Sequence, residues 1–444
     1  MGELFQYHGF FLRRFWKLWL GLFFLGGGSM FGQNYFQQLG APSQTAPVVP
    51  YEIHAENGEP AQPSGGLVPS NSEDRYNLAL GPVRFNVSSE IGIQWTDNVA
   101  FSSVNRQADL IFTPVINLDA KWRVTEMNTL HFAIGLGYNY YLRQAQYDYN
   151  GVTLLPNSEL AFTLHVGNLS FTLRDQFSLL NDPTSLTALS STNSASNFQR
   201  FQNQTGLTTD WIMTPILDLK VTYDHYNLWV IGNNLAGAQV PNQIINTLLF
   251  NPRLKVGPAI TAGLNLSTSY IQYTGSNMSG NTVMMGPLVE LELTRNSRLD
   301  LGVGYQYFGG STSANGIGNS NSIYSQVSIE NRLNSNFTHR LTYTHTTEAG
   351  YTTPYYDLYD LQYGAHWKVN SEVGLEMRLI YQHDQTPGIG GSIGNRYGTE
   401  IGTHYQLTPS VSLGLSYRYF LNTKNTPDSN ATQNSILINV AYSF

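Results

Sequence analysis

The sequence predicts an all-β fold: a transmembrane up-and-down antiparallel β-barrel of about 18 strands (16–18), the even number that single-chain outer-membrane barrels adopt. Three observations predict it. The 444-residue chain is 12% charged and 41% hydrophobic, with a mean hydropathy of −0.23. Ordinary globular proteins carry about 25% charged residues, so half the usual charge is missing without the chain becoming oily. Gly (41 residues), Tyr (28) and uncharged polar residues fill the gap, which suits strands that face lipid on one side and water on the other. Second, from residue 83 onward apolar residues recur at every second position, in runs about as long as a tilted membrane strand requires. Third, the chain ends ILINVAYSF, with Ile436, Ile438, Val440, Tyr442 and Phe444 on one face up to the last residue.

The N-terminus precedes that pattern. Arg13, Arg14 and Lys17 lead into the apolar run LWLGLFFL (18–25), followed by the small residues Gly26–Ser29. This is the layout of a secretory signal peptide, expected over residues 1–32 with cleavage after Gly32. The apolar run is shorter than the roughly 20 residues of a spanning helix. Residues 33–82 are rich in Pro, Gly, Ser and Gln without periodicity, so a flexible periplasmic segment is expected there, and the barrel over 83–444. With no Cys, disulfides and thiolate chemistry are absent. A net charge of −7 argues against a nucleic-acid partner, which needs a basic patch.

Strands are expected to begin near 83, 109, 128, 158, 169, 198, 216, 243, 259, 282, 298, 321, 336, 357, 372, 396, 410 and 433. The first carries Phe85, Val87, Ile91, Ile93 and Trp95 on one face. The third carries Leu130, Phe132, Ile134, Leu136, Tyr138, Tyr140 and Leu142, with His131, Ala133, Gly135, Gly137, Asn139 and Tyr141 opposite. Leu299 to Tyr307, Val373 to Tyr381 and Val411 to Tyr419 repeat the alternation. Short turns at 125–128, 167–168, 214–215, 257–258, 296–297, 334–335, 370–371 and 408–409 alternate with longer Gly/Ser/Asn-rich loops, the signature of a meander. The longest loop, 181–197, is a candidate inward-folding constriction.

A soluble sandwich also alternates, but its strands are usually about 5–6 residues long. Trp122, Trp211 and Trp367 lie near short turns, and Trp95 and Trp229 near long loops. Two Trp levels one membrane apart form the expected interfacial girdle. The lipid bilayer of the outer membrane is therefore the expected environment. The last strand is expected to pair with the first, since unpaired backbone groups are not solvated in lipid. Val440, Tyr442 and Phe444 resemble the C-terminal signal read by the barrel-assembly machinery.

By parity, the inner wall is expected to carry Lys121, Arg123, Arg174, Lys220, Glu290, Glu292, Asp300, Glu330, Arg332, Arg340, Glu376, Arg378, Arg396, Glu400 and Arg418. Their signs are mixed, so a lumen for polar solutes and a self-satisfying charge network are both compatible. The ten His are scattered without metal-ligand or HExxH spacing, and no enzyme, catalytic site, metal or cofactor is expected. YDHYN at 223–227 reads as a loop-side aromatic girdle before a sugar platform. The Gly-rich stretch 388–395 lacks the Lys and helix of a phosphate loop.

The stretch WTDNVAFSSVNRQADLIFTPVINL (95–118) resembles the start of the β-barrel porin 2 family and related exopolysaccharide-associated barrels, through Asp97, Asn98, Asp109 and Pro114. The resemblance implies an outer-membrane channel-like protein, in some members linked to polysaccharide export. The expected function is a porin-like channel for passive passage of ions and small polar solutes. The alternatives are a conduit or accessory barrel for exopolysaccharide export, or a plugged structural barrel. A homo-oligomer is compatible, although the apolar faces do not demand one.

Overall fold

The computed structural model describes residues 76–148, 152–180, 199–231, 241–274, 279–311, 319–350, 355–386, 393–425 and 430–444. The expected signal peptide (1–32), most of the 33–82 segment and the 181–197 loop lie outside them. The wall is built of β1 (Val83–Thr96), β2 (Asp109–Arg123), β3 (Thr129–Tyr138, continued by Tyr140–Tyr141), β4 (Val152–Val166), β5 (Leu169–Leu180), β6 (Gln199–Thr214), β7 (Leu217–Ile231), β8 (Asn242–Gly257) and β9 (Ile260–Thr274). It continues with β10 (Ser279–Thr294), β11 (Ser297–Ser311), β12 (Ser320–Asn334), β13 (Phe337–Ala349), β14 (Tyr355–Lys368), β15 (Val373–Gln385), β16 (Ile393–Thr408), β17 (Val411–Lys424) and β18 (Ala431–Ser443). Each strand pairs antiparallel with the next, and β18 pairs with β1 from Ser88↔Ser443 to Thr96↔Ser435. The result is a closed barrel of 18 wall strands, and the one helical element among the described residues is a single 3-10 turn at Ala145–Tyr147.

Alternation sets the two faces. In β18, Ile436, Ile438 and Val440 are exposed on the outer face, while Ser435, Leu437, Asn439 and Ala441 are buried inside. Turn chemistry fixes the ends. Thr125, Thr214 and Thr408 each accept, through Oγ1, an amide three residues on (Asn128, Leu217 and Val411, 3.0–3.1 Å), and Asn370 Oδ1 accepts from Val373 N (2.7 Å). These are the side-chain-to-backbone bonds that make Thr and Asn turn formers.

Two features depart from the sequence expectation. β4 begins at residue 152 rather than 158, because Pro156 sits inside it and both its ladders shift register there, between Leu154 and Ser158 on one side and Ala133 and Leu136 on the other. A bulge breaks the period of two, so alternation is legible only beyond it. The segment expected to stay irregular to residue 82 already pairs at Leu78–Leu80, against Val83–Phe85 of β1. That is where β18 has ended, so the short strand covers β1's open edge. Asn77 Nδ2 donates to Val87 O (2.6 Å) and Phe444 N to the same carbonyl (3.2 Å).

Glycines on the inner face make room for large side chains. A Cβ on Gly286 or Gly304 would lie 2.0–2.1 Å from a backbone carbonyl of the facing strand and within 2.7 Å of the Tyr324 side chain. Pro287 beside them offers no amide, and the β10–β11 ladder lapses between Met285 and Leu288.

Candidate functional site: the barrel interior

The start of β1, the end of β18 and the short turns share one end of the barrel, and the long connections leave from the other. Toward the short-turn end, the inner face carries ion pairs, most of them between strands and one, Arg298–Asp300, within β11. Arg298 bridges Glu290 (2.7 Å) and Asp300 (2.8 Å), and Glu290 also receives Arg253 (3.3 Å), which approaches Asp218 at 3.8 Å. Arg340 pairs with Glu330 on β12, and Arg378 with Glu400 on β16 (3.7 Å). His131 lies between Asp119 (2.7 Å) and Glu159 (3.0 Å), and His366 meets Glu376 at 3.4 Å. Adjacent strands approach to about 4.8 Å, so opposite charges on facing positions meet without bending the wall.

Several of the fifteen residues named from parity stand beside exposed apolar neighbours, as Asp300 beside Leu301 and Arg418 beside Tyr417, and Lys220, Asp300, Arg396, Glu400 and Arg418 are buried. Lys121, Arg174, Lys220, Glu290, Asp300, Glu330, Arg340, Glu376, Arg378, Arg396, Glu400 and Arg418 lie within the wall, and Arg123, Glu292 and Arg332 near its short-turn rim. Glu330 and Glu376, read from the sequence as i, i+2 neighbours of Arg332 and Arg378, pair across strands with Arg340 and His366. Parity alone missed Arg253 and Arg298, the hub of the largest cluster. Arg298 shares a face with Asp300 two residues on and is in register with Glu292, and Arg253 is in register with Asp218, which is the signal that could have found them.

The pairing makes selectivity sensitive to single charges. Glu290→Gln removes the carboxylate that Arg253 and Arg298 share. The reversal potential under a salt gradient is expected to move toward anions relative to wild type, with the fold intact; an unchanged potential would place this cluster off the ion path.

Toward the long-loop end the interior is apolar and filled from β13 and β14. The β12–β13 ladder ends at Ser325↔His345, whereas β13–β14 pairing continues to Ala349↔Tyr355. The top of this hairpin leaves the wall and turns inward. Thr347 belongs by parity to β13's outer face, yet its N–H donates to Gln306 Oε1 (2.9 Å) and its carbonyl accepts from Gln306 Nε2 (2.7 Å), on the inner face of β11. The Tyr355 ring packs on Phe308 with centroids 4.5 Å apart. Further across, Gly350 O accepts from Gln243 Nε2 of β8 (2.6 Å) and the Tyr273 hydroxyl of β9 (2.8 Å). Tyr226, Leu228, Ile245, Ile271, Tyr273, Phe308, Tyr355, Tyr356 and Leu358 form one buried cluster. The β13–β14 hairpin thus narrows the interior; the 181–197 loop, named above as a candidate constriction, lies outside the described residues.

The other sequence-singled residues fall as follows. Trp95, Trp122, Trp211, Trp229 and Trp367 are all exposed on the outer face near strand ends. In the 223–227 cluster Tyr223 is outer and Tyr226 is fully buried inside, so the stretch serves both faces. Val440 faces outward, and the Tyr442 and Phe444 rings meet edge-on at 5.0 Å. Asp97 accepts from Asn434 N and Nδ2 (both 2.7 Å), and Asn98 Nδ2 donates to Thr432 O (2.8 Å), tying the first loop to β18. Asp109 Oδ1 and Oδ2 accept the amides of Arg143 and Gln144 beyond β3 (3.0 and 2.9 Å). Pro114 lies in β2 opposite Ile91.

Residues 328–444 match the model of the family described as "Putative beta-barrel porin 2". The match spans the end of β12 through β18, including the inward hairpin, and not the 95–118 stretch. No curated protein matches the chain. Among solved structures, Acinetobacter baumannii OccAB3 is similar at 11% identity over 82% of this chain and 100% of its own, with a TM-score of 0.43. Pseudomonas aeruginosa OpdK, solved with vanillate, is similar at 10% identity over 81% and 99% (TM-score 0.45). A loop L8 deletion mutant of OmpT from Vibrio cholerae is similar at 11% identity over 82% and 100% (TM-score 0.40). With an apolar exterior, a charge-paired interior and 18 closed strands, the chain is a β-barrel built as membrane-spanning barrels are, and over its C-terminal quarter it is similar to the family described as Putative beta-barrel porin 2.

Proposed function

We propose that this barrel is a channel for passive passage of ions and small polar solutes across the outer membrane. The observation that carries the reading is the inner wall: ion-paired and polar around its short-turn half, on a strand count that leaves room for water. Paired charges offer a passing polar solute hydrogen bonds without a net field of one sign, which favours small polar or zwitterionic solutes over highly charged ones. The inward hairpin narrows the loop-side half, so size selection falls there. Transport without chemistry is the reading that suits His131 and His366, whose imidazoles are engaged by carboxylates rather than by a nucleophile.

The test is single-channel recording of the refolded protein in a planar bilayer, with reversal potentials under a salt gradient. Stable steps with a modest ionic preference are expected. A folded barrel that stays sealed at all potentials would overturn the open-channel reading.

A further inference from the structure

The outer face of β5 reads Leu169, Phe171, Leu173, Asp175, Phe177, Leu179. A single carboxylate stands in the middle of an apolar stripe. Asp175 belongs to a row of polar residues in strict register across the exterior: Asp175↔Thr205↔His225↔Asn246 on β5 to β8. Thr205 Oγ1 and Asn203 Nδ2 both donate to Asp175 Oδ1 (2.9 and 2.5 Å). His225 Nδ1 donates to Asn246 Oδ1 (2.8 Å), which also receives the Tyr223 hydroxyl (2.9 Å). Asp175 Oδ2 and His225 Nε2 have no partner among the described residues.

Depth decides what such a patch can face. On β6 the outer residues run Phe201, Asn203, Thr205, Leu207, Thr209, Trp211. Trp211 marks the short-turn level. At the loop level the Phe201 ring stacks on Trp229 at 5.4 Å. The polar row lies between these two aromatic levels, hence within the hydrocarbon band and too deep for a lipid headgroup. Ionisable residues on a lipid-facing surface are costly and mark contacts by default.

We propose that this patch is a homodimer interface, occupied by a second copy of the same chain. Asp175 and His225 flank Thr205 symmetrically, each one strand away, or about 10 Å apart. A two-fold axis along the membrane normal that passes beside Thr205 brings each Asp175 against the partner subunit's His225, offset in depth by about 6 Å because the row inclines with the strand tilt, so the two side chains meet on a diagonal. Since His225 Nδ1–H is spent on Asn246, the carboxyl and the imidazole Nε2 share one proton, which makes the pair whichever group holds it. Leu160, Leu173, Leu207 and Leu248, all exposed, surround the row and form the apolar rim of the contact. The inference concerns the barrel's exterior and is independent of whether the lumen conducts.

The chain has no Cys, so single cysteines report contacts cleanly. Thr205→Cys, oxidised with copper–phenanthroline in native outer membranes, is expected to give a disulfide-linked dimer, while Leu415→Cys on the outer face of β17 stays monomeric. In the Thr205→Cys background, Asp175→Leu is expected to lower the cross-linked fraction about tenfold or more without lowering the unfolding temperature, since leucine suits a lipid-facing site. The exchange Asp175→His with His225→Asp restores cross-linking. A monomeric Thr205→Cys protein, cross-linking that Asp175→Leu leaves unchanged, or a cross-link to a different protein would each overturn the proposal.

Discussion

Phe308→Ala is expected to raise single-channel conductance several-fold while the barrel stays folded. Phe308 is completely buried, its ring wedged between Tyr355 and Gly280, where an added Cβ would lie 2.6 Å from the ring. Truncating a buried phenylalanine costs about 3–5 kcal/mol. The barrel wall keeps its ladders on both sides of β11, so the cost falls on the docking of the inward hairpin. Five hydrogen bonds, through Gln243, Tyr273 and Gln306, hold that hairpin, each worth about 0.5–1.5 kcal/mol net. Loss of the ring is comparable to their sum, and the hairpin's docked population falls. Larger and less uniform steps would follow, with the heat-modifiable electrophoretic shift of the folded barrel preserved. Phe308→Leu, which keeps most of the apolar contact, is expected to lie close to wild type. Unchanged steps from a folded Phe308→Ala protein would show that the ion path bypasses the hairpin.

That constriction is also where sequence reasoning stops. Strands are local: alternation in β11 or β17 declares its two faces without reference to anything distant, and starts such as 83, 109 and 169 are those observed. The inward hairpin breaks that logic. Parity assigns Thr347 and Tyr355 to the outer face and Gln306 and Phe308 to the inner one, so no face label brings them together. They meet only because β13 leaves β12 after His345 and crosses to strands that lie more than forty residues earlier in the chain. Pro156 hid six residues of β4 by a different route, a bulge that resets the parity count. The ion pairs fall between these cases. Their signs were legible, but their partners depend on a cross-strand register that the turns set and single-strand periodicity does not contain.

Asn98→Ala is expected to destabilise the barrel at its seam. The β1–β18 ladder spans only Ser88 to Thr96, against Val83 to Thr96 for β1–β2, so the closing strand pair relies on contacts beyond it. Asn98 supplies them from a fully buried position. Its Nδ2 donates to Ser102 O (2.7 Å) and Thr432 O (2.8 Å), its Oδ1 accepts from Ser102 N (3.0 Å), and its carbonyl accepts from Gln433 Nε2 (2.7 Å). Those bonds hold the turn in which Phe101 adopts a φ of 50°, a conformation that costs a non-glycine residue about 1–3 kcal/mol and persists only under constraint. Phe101 in turn packs on Phe420 and Ala431 inside β17 and β18. Alanine leaves two carbonyls and one amide without their partners, at about 1–3 kcal/mol each where water does not reach them. It also releases the turn that seats Phe101. The expected result is a clear fall in the temperature at which the folded electrophoretic form is lost, with early exposure of β18 to protease. Asn98→Asp keeps the Oδ1 acceptor for Ser102 N but loses both Nδ2 donors and sets a charge against two carbonyls, so it is expected to be no better than alanine. A wild-type melting temperature for Asn98→Ala would mean that the β1–β18 ladder and the Asp97–Asn434 bonds close the barrel by themselves.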